Sequence, residues 1–150
     1  MKYKSPVLWL LCAPLSAVAQ HCPAINTIQQ IGLFYSAETG GDEKWIGSLQ
    51  GSIPQNKTAI KDFSEALLII DSENEEGNSV HQGKFQKCTY NLQAEGWQLD
   101  MYYGNKTWPA SISGKPHWQY QQTAFLEIYH CSEVAAEECQ FDILPSASAS

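Results

Sequence analysis

The sequence has no arginine. All nine basic residues are lysines, and sixteen acidic residues give a net charge of −7 over 150 residues. Arginine is the usual bidentate ligand of phosphate and carboxylate groups. Its absence and the acidic balance disfavour nucleic acids, anionic membranes and phosphate-handling chemistry. We expect no nucleic-acid partner and no cofactor. A basic protein is the partner that the charge favours, although the charge serves solubility equally well.

Long hydrophobic runs are missing as well. The apolar stretch at residues 7–15 is shorter than the ~20 residues of a membrane-spanning helix. It follows two lysines and leads into the small residues Ala17, Val18 and Ala19, which is the pattern of a secretory signal. We therefore expect cleavage after Ala19 and no membrane span. An uncleaved N-terminal anchor is the alternative.

Cleavage at this point divides the chain into three parts. Residues 1–19 are the predicted signal peptide, 20–144 form one exported domain, and 145–150 form a disordered, low-complexity tail. Removing the signal takes away two of the nine lysines, so seven basic residues remain against sixteen acidic ones and the net charge becomes −9. The predicted location is the periplasm or the extracellular space.

Cysteine pairs with the CxxC spacing of zinc sites are absent, which disfavours a zinc centre. Cys12 belongs to the predicted signal, so the exported chain keeps four cysteines: Cys22, Cys88, Cys131 and Cys139. An even number in an exported protein indicates disulfides, and four cysteines allow three pairings. Cys131 and Cys139 flank a short polar segment between two strand-like runs, which favours a bridge across a hairpin. That leaves Cys22 to pair with Cys88 and to tie the new N-terminus to the sheet.

The hydrophobic pattern predicts one short helix and several strands. Ile25, Ile28 and Ile31 recur at a spacing of three, which predicts a helix from 23 to about 31. Segment 60–70 fits either a helix or a strand, and we favour a strand over 65–71. The other predictions are strands at 33–38, 43–51, 84–92 and 97–104, a loop over 104–122, and a last hairpin that pairs 125–131 with 139–144.

These elements predict the α+β class. The expected architecture is a short N-terminal helix plus a curled antiparallel sheet or partial barrel of six to seven strands. Two disulfides complete it. We find no internal repeat.

Four short motifs carry a family resemblance: CPAINTI, GLFYSA, KWIG and CTY, in this order. Together they resemble a family of small exported bacterial proteins catalogued as a domain of unknown function, over roughly residues 21–103. In that family the two cysteines of the Cys-Pro and Cys-x-Tyr motifs pair, which again implies a Cys22–Cys88 bridge. The segment after Tyr103 looks like an extension beyond the pattern. The resemblance implies no catalytic residue.

Signs of catalysis are weak. The chain lacks a G-x-S-x-G motif, and the four histidines (His21, His81, His117 and His130) have no partner at an informative spacing. Among the carboxylates, Glu127 has the most apolar neighbours, in FLEIYH, which is the setting that a raised-pKa acid needs. An outward-facing strand residue is the interpretation we favour.

The segment DSENEEG at 71–77 alternates acidic residues as a calcium loop does. Asp71, Glu73 and Glu75 fit, but Gly77 falls at the seventh place of the loop and Gln82 at the twelfth. We favour a solvated acidic turn and predict no metal site.

Aromatic residues are concentrated between positions 97 and 120. Trp108 and Trp118 bracket a stretch without strand alternation, and Tyr120 follows. Tryptophan on an exported loop stacks on sugars or anchors protein partners. The sequence therefore predicts a binding surface at Trp108, Trp118 and Tyr120, with both tryptophans folded back over the sheet as the alternative.

These observations favour a non-enzymatic exported protein that binds a protein or a glycan. An inhibitor or immunity-type module against a basic enzyme and a host-directed secreted factor are two versions of this hypothesis. The alternatives are a small glycan hydrolase with a carboxylate pair and a structural accessory of an envelope or secretion machine. The oligomeric state is not predicted.

Overall fold

The computed structural model describes residues 17–49, 52–70 and 81–145. Within these ranges the chain forms eleven antiparallel strands and three single 3-10 turns, with no α-helix. The strands are β1 (Val18–His21), β2 (Gln29–Ile31), β3 (Phe34–Glu38), β4 (Lys44–Ser48), β5 (Ile60–Ile70), β6 (Gln82–Leu92), β7 (Gln98–Tyr103), β8 (Trp108–Ser111), β9 (Trp118–Gln122), β10 (Glu127–Ser132) and β11 (Gln140–Ile143).

The long strand β6 is the branch point of the sheet. Along one edge it pairs with β5, which continues through β10 to β9. Along its other edge the N-terminal half pairs with β8, which leads to β11 and β1, and the C-terminal half pairs with β7, which leads to β4, β3 and β2. The branch that begins with β8 and the branch that begins with β7 curl toward each other, so the predicted curled sheet is confirmed.

The core lies between the two branches. Trp45 on β4 makes edge-to-face contacts with Phe85 and Phe141, whose own rings stack at a centroid distance of 4.2 Å. Residues on the inner faces of β3 and β4 alternate with exposed neighbours, which is why the period-two pattern of this sequence predicts these strands correctly.

Both predicted disulfides are present. Cys22 pairs with Cys88 and Cys131 with Cys139, and all four residues are fully buried. Cys88 and Cys131 lie on either side of Ala66 of β5, and the backbone N–H of Cys22 donates to the carbonyl oxygen of Cys139 at 3.2 Å. The two bridges therefore meet in the core where β5, β6 and β10 join.

The predicted N-terminal helix is wrong. Residues 25–27 make one 3-10 turn, and residues 29–31 form β2. The side chain of Thr27 donates to the carbonyl oxygen of Ala24 at 2.7 Å, a local bond that competes with helix formation. Ile31 is 78% exposed, so the isoleucines bury no common stripe. Ile25 and Ile28 pack partly against the core, but a nine-residue segment rich in β-branched residues has little tendency of its own to form a helix.

Two further predictions fail in the C-terminal third. The predicted loop over 104–122 contains β8 and β9, and with β1 and β2 these bring the described strands to eleven in place of the expected six to seven. The predicted last hairpin does not form, because β10 pairs with β5 and β9 whereas β11 pairs with β1 and β8. The Cys131–Cys139 bridge instead links β10, which pairs with β5, to the residue just before β11, which pairs with β8 and β1.

The ends of the chain and the acidic segment fall partly outside this description. Residues 1–16 of the predicted signal, the segment 71–76 and residues 146–150 lie outside the described ranges. Val18 and Ala19, which precede the predicted cleavage point, pair with Ile143 and Asp142 in β1. In the part of the chain that is described, no helix is long and apolar enough to cross a bilayer.

Candidate functional site

An open groove of about 690 Å³ lies on the outer face of the sheet, along β4 and β7. Residues 46–49 line one side, residues 97–102 the other, and the turn at 104–107 closes one end. A volume of several hundred cubic ångströms is typical of small-molecule and oligomer sites. We call this feature the β4–β7 groove.

Gly47 allows the close approach of β4 and β7 beneath the groove. A Cβ atom at this position would lie 2.7 Å from both the carbonyl oxygen of Asp100 and the sulfur of Met101. Glycine within a strand often marks such a close backbone contact. The groove floor therefore depends on this residue having no side chain.

Aromatic and aliphatic groups form the apolar part of the groove. Ile46 and Tyr102 are directly opposite each other across β4 and β7 and are 45% and 44% exposed. Trp97, half-buried, lines the groove just before β7 begins. Phe34 on β3 lies on the same outer face, since it pairs with Ser48, and is 67% exposed.

Hydrogen bonds fix the polar part of the groove. One oxygen of the Asp100 carboxylate accepts from the hydroxyl of Thr89 at 2.7 Å, and the other lies 3.1 Å from the amine of Lys87. The Gln98 amide donates to Asn91 at 2.9 Å, and the Asn91 amide in turn donates to Asp62. Because its N–H₂ end is held by Asn91, the oxygen of Gln98 faces away from that residue. The groove therefore presents oriented acceptors.

Lys106 supplies a cation at the closed end of the groove. Its amine lies 4.2 Å from the centroid of the Trp108 ring, within the range of a cation–π contact. Trp108 itself packs edge-to-face against Tyr103. One of the three predicted binding residues therefore supports the groove from behind.

The other predicted tryptophan lies elsewhere. The indole N–H of Trp118 donates to the carbonyl oxygen of Gln140 at 2.8 Å, whereas Pro109, next to Trp108, accepts from the backbone of Leu144. Gln140 and Leu144 are four residues apart along an extended strand, or roughly 13 Å. The two tryptophans therefore flank opposite ends of β11, and both pack partly against the core.

Tyr120 lies on β9, two residues beyond Trp118, in the β9–β10 hairpin. It is 52% exposed and packs edge-to-face on Tyr129 of the neighbouring strand. The tip of this hairpin is held by Thr123, which hydrogen-bonds Leu126 through backbone and side chain, and it exposes 91% of Phe125. Trp118 and Tyr120 thus lie together on β9, whereas Trp108 lies apart on β8. The role of all three residues in binding stays a prediction.

The structure offers little for acid–base or metal chemistry within the described ranges. Glu127 is exposed at the start of β10 and so lacks the apolar surroundings that the sequence suggested. The described residues contain no group of three or more His, Cys, Asp or Glu that could hold a metal ion.

The sequence signal for the groove differs from the one that predicted the patch. Aromatic content predicted the patch, whereas strand alternation indicates one wall of the groove. Gln98, Asp100 and Tyr102 are the outward members of the alternation in β7, whose inward members are Leu99, Met101 and Tyr103. The outward-facing residues of this clearly alternating strand predict one wall of the groove. The contribution of β4 requires knowledge of the strand order.

The geometry defines a small all-β domain stapled by two buried disulfides, with a groove on one outer sheet face. The chain belongs to the family described as a protein of unknown function (DUF3757), which it matches over residues 17–142. The predicted resemblance is confirmed. The match runs well past Tyr103, so the segment with Cys131 and Cys139 is part of the family domain and is not an extension. Neither a curated protein nor a solved structure matches the chain significantly.

Proposed function

We propose that this protein is a non-enzymatic exported binding protein that acts on a protein or glycan partner, and that the β4–β7 groove is its binding surface. The two disulfides are compatible with an extracytoplasmic location. Export itself rests on the secretory pattern of residues 1–19.

The observation that carries the proposal is the combination of exposed apolar groups with immobilised polar groups in one groove. Ile46 and Tyr102 remain about half exposed on the outer face of the sheet. Ligand sites typically join such an apolar surface to a few polar groups in fixed positions. Asp100 and Gln98 fulfil that role, because each is held by neighbouring side chains.

The hydrolase alternative has less support in this groove. Inverting and retaining glycosidases use two carboxyl groups about 5–10 Å apart on either side of the scissile bond. Among the described residues that line the groove, Asp100 is the one carboxylate, and Lys87 and Thr89 already engage it; the Glu43 carboxylate lies beside Gly104 at the turn. Binding without chemistry is the simpler use of this geometry.

The test is capture of a partner by the purified mature protein from bacterial envelope extract and from host-cell lysate. Tyr102→Ala is the test variant, and Tyr120→Ala is the matched control, since both tyrosines are strand residues with about half of their surface exposed. We expect Tyr102→Ala to lose the captured partner while Tyr120→Ala retains it, with both variants melting like wild type. Equal capture by wild type and Tyr102→Ala would place the binding surface elsewhere.

A further inference from the structure

We infer that the β4–β7 groove binds a saccharide chain that is neutral or carries carboxylate groups. The inference rests on the proposed function and names the ligand class of that site. It follows from three features of the groove: the side chains that can stack, the polar groups that are fixed, and the local charge.

The stacking surfaces suit a ring with an apolar face. Trp97 and Tyr102 lie on the same wall, and Ile46 faces Tyr102 across the groove. A pyranose ring presents a face of C–H groups that packs on aromatic side chains, whose faces carry partial negative charge. Its hydroxyl groups remain at the rim, where they need hydrogen-bond partners.

The polar groups at the rim match those hydroxyls. A carboxylate accepts up to about four hydrogen bonds, and Asp100 spends one on Thr89 and one on Lys87. Gln98 turns its oxygen away from Asn91. A row of oriented acceptors is suited to a ligand rich in O–H donors. Because neighbouring side chains already hold these acceptors, little conformational entropy is lost on binding.

The charge of the groove differs from the net charge of the chain. The acidic chain as a whole favours a basic partner, whereas the groove does not. The chain carries nine basic and sixteen acidic residues, but the Asp100 carboxylate is balanced by Lys87 at 3.1 Å. Lys106 adds a positive charge at the turn, and the Glu43 carboxylate lies against Gly104 of the same turn. The groove is therefore close to neutral, with Lys106 as the group that an anionic sugar would meet, and this balance does not favour a cationic ligand.

The outer face extends beyond the groove and points to an extended ligand. Phe34 is two strands away from Tyr102 and two residues offset along the sheet, which places the two Cα atoms roughly 12 Å apart. Phe34 is 67% exposed on this same face. An oligosaccharide lying across the strands can contact both rings, whereas a monosaccharide cannot.

The experiment is calorimetric titration of the purified protein with two probes, a neutral N-acetylglucosamine hexamer and a galacturonate hexamer. We expect at least one probe to bind, and Tyr102→Ala to weaken that binding by about tenfold or more. Lys106→Gln should weaken the galacturonate probe alone and remove most of its salt dependence. Tyr120→Ala is the matched control and should bind like wild type, and melting curves verify the fold of each variant.

Two results would overturn the inference. If neither hexamer binds, the ligand class is wrong, while a captured partner that still depends on Tyr102 would keep the proposed function intact. If a hexamer binds and Tyr120→Ala weakens it but Tyr102→Ala does not, saccharide binding belongs to the β9–β10 hairpin, and the groove assignment fails with it.

Discussion

The β4–β7 groove and the β9–β10 hairpin both expose aromatic side chains, but the described residues place different groups beside them. Tyr102 and Tyr120 are exposed to nearly the same extent, 44% and 52%. Beside Tyr102 lie Asp100 and Gln98, each held in place by hydrogen bonds. Beside Tyr120 lies the ring of Tyr129 in the adjacent strand, whose hydroxyl lies 3.4 Å from Nδ1 of His81.

The comparison shows that exposure of an aromatic ring is a poor guide to a binding site. Individual apolar residues are common on the surfaces of proteins. A specific site also needs oriented hydrogen-bond partners, because specificity comes from polar groups that only the correct ligand satisfies. The aromatic content of residues 97–120 drew attention to Trp108 and Trp118, while the more informative polar residues lie on the outer face of β7.

The largest expected effect is the loss of stability when a disulfide is removed, which should differ between the bridge near the groove and the bridge near the hairpin. Cys22–Cys88 anchors β6, which supports the groove, and closes a loop with a sequence separation of 66, whereas Cys131–Cys139 anchors β10 with a separation of 8. Loop-closure entropy predicts losses of about 4 and about 2.5 kcal/mol on removing each bridge. Denaturant unfolding of the two double Cys→Ala variants measures both. Equal losses, or a larger loss for Cys131–Cys139, would contradict this ranking.

A smaller effect is expected at the groove floor. Gly47→Ala places a methyl group 2.7 Å from the Asp100 carbonyl oxygen, so we expect a loss of about 1–3 kcal/mol and weaker ligand binding. Gly41→Ala is the control, since its nearest neighbouring atom is 3.9 Å away, and it should change stability by less than about 0.5 kcal/mol. If Gly47→Ala melts like Gly41→Ala, β4 and β7 approach less closely than described.

The two tryptophans of the predicted patch give the next effect. Trp118→Ala removes core packing and the hydrogen bond to Gln140, so we expect a loss of about 2 kcal/mol with ligand binding unchanged. Trp108→Ala should lose stability similarly and also weaken binding, because the Lys106 amine loses the indole ring that it contacts. Melting curves and titrations of both variants check this. A Trp118→Ala variant that melts normally and binds more than about tenfold more weakly would restore the predicted patch.

The smallest effect concerns β6, which pairs with β7 on the groove side and with β5, the neighbour of β10, on the other. Burial raises the pKa of Tyr90 well above its ordinary value of 10.0, and the charge of Glu137 raises it further. The folded state thus holds this proton more tightly than the unfolded state, so its contribution to stability is present below pH 10 and is lost as the pH rises above about 10.

Tyr90→Phe tests this contribution. The variant should lose about 1 kcal/mol at neutral pH, because the hydroxyl donates to the carbonyl oxygen of Pro23 at 2.5 Å. Its melting temperature should fall less steeply above about pH 10 than that of wild type. Tyr102→Phe, which changes an exposed residue, is the control for the alkaline slope. Parallel curves for Tyr90→Phe and wild type would contradict the assignment.

The local alternation of this sequence predicts much of the sheet but little of its connectivity. The faces of β3, β4, β6 and β7 and both disulfides follow from period-two patterns and cysteine spacing. The helix prediction fails because three isoleucines at helical spacing also suit a 3-10 turn followed by an edge strand. The last hairpin fails because β10 and β11 pair with strands distant in sequence, namely β5 and β1.

The candidate site is harder to predict than the fold. Its two walls come from β4 and β7, which are separated by two other strands in the sequence. Asp100 and Lys87 become partners only through the pairing of β6 with β7. The sequence alone identifies each outward residue of β7, whereas the groove arises from the strand order.

The most direct test of the central claim is a hydrogen-exchange footprint of the protein with and without the ligand that it captures. We expect slower amide exchange at residues 46–49 and 98–107 in the bound state, with no change over residues 118–127. Slower exchange confined to 118–127, with the β4–β7 groove unchanged, would contradict it and move the binding surface to the β9–β10 hairpin.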